Sequence, residues 1–409
     1  MAPPTANTLA PQTIASIMMA QQFCIRVIAC FIRLDRGDLA DEKILSGKIH
    51  EAATVLRSAE SALQGGGYQV QTLRIVTNPF GTWMDEPEKD VPLLDSVLSA
   101  NGIEFCAVGP AQTPDELEHC IRVVRQSHRL SCSASLQASD SVMATKIAET
   151  VRRISMLEDG SHVANGLGNF RFCAATCDEH IPFFPAAKAS QSSGLRFAVG
   201  LENGCLAGEL LRRCGSIAKL PSVFADGMSE ALLPVHQICE TVSTETNVEY
   251  LGMDTSLNPS LESSGSVASA MELLDEVQRF GGPGSVAAAA AITTALQSIP
   301  GIRRTGYCGL MLPLCEDRRL AELANDGTLR ISDLLSISHV CGVGIDTVPI
   351  PGDFSVPQLA AILLDVAAVA TRWNKSLSCR VFPVPGRKAG DFTTFDSPYM
   401  VNSSILPLE

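Results

Sequence analysis

The sequence predicts an α/β fold in which a largely parallel sheet is covered by helices and closes as a ten-stranded α/β barrel. Three observations point there. Short, nearly continuous apolar runs alternate with segments of helical periodicity, the pattern of a sheet buried on both faces. Gly, Pro and Asn mark the junctions, as at Gly65–Gly67, Asn78–Pro79 and Gly281–Gly282, where a helix or strand is expected to stop. No linker-like stretch divides the chain after residue 21. Residues 22–409 therefore read as one barrel domain, and 1–21, rich in Pro, Ala, Thr and Ser, as a flexible N-terminal arm.

The elements follow in order. Residues 23–34 form a β-branched apolar run and a first strand. Helical periodicity over 41–63 ends at the glycines. Strands are expected at 68–76, 104–108 and 129–136, with helices at 91–100, 114–126 and 140–157. Thr113 stands where an N-cap belongs. The second half repeats the theme with strands at 169–175, 195–201, 248–253, 306–311, 342–348 and 377–383. Helices are expected at 206–213, 230–245, 266–279, 285–298, 316–324, 331–338 and 356–374. The tail after Gly390 reads as irregular.

Composition excludes several classes. Hydrophobic residues at 46% against 18% charged supply a large core and rule out a disordered chain. With aromatics at only 5%, small apolar residues must fill that core. A net charge of −13 and no basic run longer than a pair, as at Arg303–Arg304, argue against nucleic acid. No stretch reads as a membrane span and no secretory signal opens the chain, so a cytoplasmic protein is expected. The fourteen Cys then read as reduced, buried and inert. An apolar helix face would serve either the core or a homodimer.

Several segments carry a family likeness: RIVTNPF (74–80), IPFFPAA (181–187), VGLEN (199–203) and VEYLGMDTSLNPS (248–260). The most specific are LAELANDGTLRISDLLSISHVCGVGIDTVPIPGD (320–353) and CRVFPVPGRKAGD (379–391). Together they resemble the uncharacterised family built on the domain of unknown function 711. The resemblance implies the ten-stranded α/β barrel of pyruvate formate-lyase without that enzyme's additional parts. It implies no reaction.

In α/β barrels chemistry sits where strands end and loops begin. Polar residues at expected strand ends are therefore the candidates. Asp254 is the candidate general base, since a carboxylate at the end of an apolar strand is partly desolvated. It would equally cap the turn toward Asn258–Pro259. Glu202 is the second catalytic candidate. Asn78, Asn203 and Ser256 are placed to orient substrate, and Arg380, Lys388 and Asp391 to hold it. Arg380 would equally pair with Asp346, which lies inside an apolar strand and needs a partner if buried. The PVPGRKAGD loop (383–391) offers backbone N–H groups with Arg387 and Lys388 for a carboxylate or phosphate, or is an ordinary turn. GGPGS (281–285) before a helix is either an anion seat or a plain connection.

The chain has no nucleotide-binding spacing. A divalent metal would need Asp254, Glu202, Asp346 and Asp391 to converge. Cys173, Cys177 and His180 lack the second ligand pair of a structural zinc site; a nucleophilic Cys177 assisted by His180 is the alternative to buried thiols. Arg303–Tyr307, spelled RRTGY, is similar to the stretch around the radical glycine of pyruvate formate-lyase. Gly306, however, lies about a hundred residues before the C-terminus. The functional expectation is a metabolic enzyme, a lyase or hydrolase, acting by acid/base chemistry on a small anionic substrate in the barrel mouth. Its alternatives are a non-catalytic metabolite-binding protein and a glycyl-radical enzyme.

Overall fold

A computed structural model describes residues 22–176, 180–341 and 343–408. The expected arm at 1–21 lies outside the described residues, as does Cys177. The architecture is mixed α/β, built on an open nine-stranded sheet in the order β7-β6-β1-β2-β3-β4-β5-β9-β8. The strands are β1 (Cys24–Ile32), β2 (Leu73–Thr77), β3 (Phe105–Ala111), β4 (Leu130–Ser135), β5 (Phe172–Thr176), β6 (Arg196–Glu202), β7 (Glu249–Asp254), β8 (Gly344–Pro351) and β9 (Leu377–Val384).

Strand direction decides where a site can form. β1 to β5 run parallel to one another. β6 is antiparallel to β1 and carries β7 parallel to itself. β9 is antiparallel to β5 and carries β8 likewise. One end of the sheet therefore combines the amino ends of β1–β5 with the carboxyl ends of the flanking strands.

The two faces of the sheet differ, as a period of two requires. Ile28, Cys30 and Ile32 of β1 point outward with Ile75, Leu130, Cys132 and Phe172. They pack under helices such as Glu42–Gly65 and Ser141–Ser155 to form the main core. The inner face takes the alternate residues: Val27, Ala29 and Phe31 of β1, Val76, Ala107, Cys173 and Ala175. Residues 180–190 lie against this inner face, with Ala189 N–H donating to Thr77 O at 2.9 Å. Phe183 sits where Gly200 of β6 leaves room; a Cβ there would lie 2.5 Å from its ring.

Three expectations need correction. Residues 306–311 form no strand. Segment 304–313 makes isolated parallel bridges instead, Met253–Arg304 and Leu257–Leu310 toward β7 and Pro313–Asp346 toward β8. The cause is local: the N–H groups of Tyr307 and Cys308 donate to the Asp254 carboxylate rather than to a ladder. Helix 266–279 shrinks to Val267–Met271, after which the chain turns. And one helix, Val356–Trp373, is long and apolar enough by length and composition to cross a membrane. Here Leu359, Leu363, Val366 and Ala370 of that helix are buried in the main core.

Candidate functional site

A cavity of ≈ 890 Å³ opens at the mixed end of the sheet. Its polar wall is built by residues early in the central strands and in the first half of β9: Arg26, Arg74, Ser131, Ser378 and Arg380, with Glu316 and Asp346 beside them. Arg74, Ser131, Ser378 and Arg380 sit on the inner face because each alternates with outward apolar neighbours, as Arg74 does with Ile75 and Arg380 with Cys379 and Val381; Arg26 lies at the bulge between Ile25 and Val27.

Arg380, only 7% exposed, is the best-connected cation. Its Nε and Nη2 meet both oxygens of Asp346 at 2.5 and 3.0 Å, and Nη2 meets Glu316 at 3.1 Å. Nη1 donates to Phe170 O at 3.0 Å. Burial alone would push this guanidinium down, but Asp346 and Glu316 together hold it above its ordinary value. Burial pushes the Glu316 carboxyl up against the pull of Arg380, so the neutral acid is favoured there more than in water. Arg26 is neutralised by Glu202 at 3.3 Å and bonds Gln71 at 2.7 Å.

Arg74 is different. Its Nε donates to Thr72 Oγ1 at 3.0 Å. Its guanidinium lies over the rings of Phe105 and Phe184, 5.4 and 4.8 Å from their centroids. Among the described residues no carboxylate pairs with it. Burial first, then the neighbouring Arg26, push its pKa down to about 9, against the pull of Glu316. Arg74 is thus a half-buried cation on the cavity wall with no carboxylate bonded to it among the described residues.

The residues expected from sequence divide. Arg380 lines the cavity, and Glu202 stands behind it as the partner of Arg26. Asp254 does not line it. Its fully buried carboxylate accepts from Ser256 N and Oγ (3.0 and 2.6 Å), Tyr307 N (2.8 Å) and Cys308 N (3.0 Å). Burial raises its pKa, and those donors oppose the rise. Ser256 Oγ also accepts Gly309 N–H at 3.0 Å. Asn203 ties Ser256 O and Asn258 N at 3.1 and 2.9 Å. Asp254, Ser256 and Asn203 therefore hold loops together. Asn78 lies at the carboxyl end of β2, away from the cavity mouth, and bonds Leu34 N and O. Lys388 is exposed, and its N–H donates to Asp391 Oδ2 at 2.8 Å, which makes their loop an ordinary turn.

Gly306 is accounted for by packing. Its φ is +77°, and a Cβ would lie 2.2 Å from Asp254 Oδ2. His180 is pushed down to about 4 by burial and by Arg196 and Lys188, so it is neutral at pH 7. The thiols of Cys30, Cys308 and Cys315 are pushed up to about 12 by burial and are poor nucleophiles. Among the described residues no three His, Cys, Asp or Glu side chains are grouped to hold a metal.

Arg26, Arg74, Glu316 and Ser378 were not anticipated. The signal for Arg74 was present: a lone charge inside an apolar strand, as at Asp346.

The comparisons with known proteins agree on kinship and are silent on chemistry. A UPF0210 protein of Pyrobaculum aerophilum is 31% identical over 229 residues, covering 53% of this chain and 50% of that protein. One from Methanocaldococcus jannaschii is 34% identical over 158 residues, 38% of this chain and 34% of its own. One from Limosilactobacillus reuteri is 35% identical over 164 residues, 39% and 36%. The matched stretch spans about half the length of these relatives or less. A solved anaerobic ribonucleotide reductase superposes with a TM-score of 0.37 and 9% identity, covering 89% of this chain and 71% of that one. At that score the likeness carries no weight. Residues 16–397, nearly the whole chain, match one family profile, and the chain belongs to the family described as Uncharacterised ACR (DUF711).

Proposed function

We propose that this chain is an enzyme that binds a small anionic substrate on Arg74 and moves a proton to or from it with Glu316, as a lyase or hydrolase does. One observation carries the reading: Arg74 faces a cavity of ≈ 890 Å³ with no carboxylate partner among the described residues. A half-buried cation without a counter-charge loses hydration that a bound anion would replace, and a cavity of this size suits a small molecule. Glu316 supplies the second half. It lies on the same cavity wall, and burial moves its pKa toward the range where a carboxyl exchanges protons near neutrality. Arg380 and Asp346 hold it in place. The acid/base role expected of Asp254 thus passes to Glu316, and the anion-holding role expected of Lys388 passes to Arg74.

The same reading takes the sheet as a ten-stranded barrel of the pyruvate formate-lyase type, with segment 304–313 as the closing member. The isolated bridges from that segment to both edge strands support it. The test is to incubate the protein with mixed hydroxy acids, small esters and phosphate monoesters and to follow products by proton NMR. Turnover that disappears in Glu316→Gln, while anion-induced stabilisation survives, is the expected result. Anion binding without turnover of any compound would leave a metabolite-binding protein instead. Turnover unchanged in Glu316→Gln would remove Glu316 from the mechanism.

A further inference from the structure

Resting on that reading, the surroundings of Arg74 narrow the class of anion. A guanidinium is planar, and here the rings of Phe105 and Phe184 lie against it. A ring contact of this kind leaves the in-plane N–H edge as the side from which an acceptor can approach. Nε is already used on Thr72 Oγ1, whereas neither terminal nitrogen has an acceptor among the described residues. Adjacent in-plane N–H donors match the two oxygens of one carboxylate.

The neighbouring cations are already engaged: Arg26 pairs with Glu202, and Arg380 with Asp346 and Glu316. Arg74 keeps its two terminal nitrogens for a ligand, and that fork fits the two oxygens of one carboxylate. The cavity wall also carries a set of apolar side chains: Phe183, Phe184, Pro185, Met311 and Val343.

We infer that the site takes a monocarboxylate with an apolar body, its carboxylate gripped by Arg74 and its body laid against Phe183, Met311 and Val343. Calorimetric titration of the full chain tests this with straight-chain carboxylates from acetate to octanoate, their primary amides, and inorganic phosphate. Carboxylate affinity should rise about fourfold per methylene until the cavity is full, and each amide should bind at least about tenfold more weakly than its acid. Arg74→Lys keeps the charge and loses the fork, so carboxylate affinity should fall about tenfold. Met311→Trp, which fills the apolar wall, should weaken octanoate and spare acetate, and it serves if Arg74→Lys does not fold. Arg74-dependent phosphate binding tighter than any carboxylate, or affinity independent of chain length, would overturn the inference and leave the anionic-substrate reading standing. No binding by any anion would overturn both.

Discussion

Two buried charged centres in this molecule resolve the same electrostatic problem in opposite ways. At the Asp254 centre the charge is closed off. One carboxylate receives two side-chain or backbone donors from Ser256 and two backbone N–H groups from Tyr307 and Cys308. Nothing is left over, and the result is a fastened loop. At the cavity, Arg380 is closed by two carboxylates while Arg74 a short way off is left open. A buried polar group with every partner supplied reads as structure, and one with a partner missing reads as a place for a ligand.

The largest test of that contrast is Asp254→Ala. It orphans several buried donors at once and should cost roughly 3–5 kcal/mol, read as a shift in the urea midpoint. A loss below about 1 kcal/mol would mean the loop does not depend on this carboxylate. Arg380→Met comes next. It leaves Glu316 and Asp346 facing each other without a cation and should cost about 2–3 kcal/mol, the buried-pair value reduced for partial access of solvent. Adding Glu316→Gln should recover part of that loss. If it does not, the two carboxylates are not coupled through Arg380.

The pH dependence sharpens the comparison further. Burial raises the folded-state pKa of Glu316 above its ordinary 4.5. Between those two values the unfolded chain has lost the proton and the folded one keeps it, so stability is highest below 4.5 and falls as pH rises through the folded value. Glu316→Gln should flatten that part of the stability–pH curve, and an unchanged slope would place the shift elsewhere, at Asp254 or Asp317, which burial also raises. Arg74→Met has the opposite sign to the other substitutions. Removing an unneutralised cation should leave folding unharmed or stabilise it by about 1 kcal/mol, while abolishing the rise in melting temperature that a bound anion produces. A marked loss of stability would show that Arg74 is structural. Smallest of all, Lys388→Ala should change neither melting temperature nor anion binding, since Lys388 is exposed and the cavity does not include it.

Why the candidate site was only half legible follows from strand direction. Looking for polar residues at carboxyl ends of strands is sound when every strand points the same way. Here β6–β9 run against β1–β5. The rule therefore finds Glu202 at the cavity end and sends Asn78 to the opposite end, while Arg380 reaches the cavity from the first half of β9. Arg26 and Arg74, at the amino ends of β1 and β2, are passed over. Asp254 shows a second limit. It does end β7, as the apolar run before it implies, but sequence cannot count the donors that a distant loop will bring to it, and segment 304–313 brings two.

What the sequence determined by itself is what depends on neighbours along the chain. The alternation of apolar runs and helical periods set the α/β class and most elements to within a few residues, because side-chain periods of 2 and 3.6 are local properties. The glycine stops follow from local residue type in the same way, as does the burial of the described cysteines other than Cys205. Tertiary structure decided everything that depends on which strands lie side by side. It set the direction of the flanking strands and replaced the expected strand at 306–311 with bridges and carboxylate contacts. It also left Arg74 without a counter-charge. Pairing between residues far apart in sequence is written in no local pattern, and a charge's unmet need for a partner exists only once all its neighbours are in place.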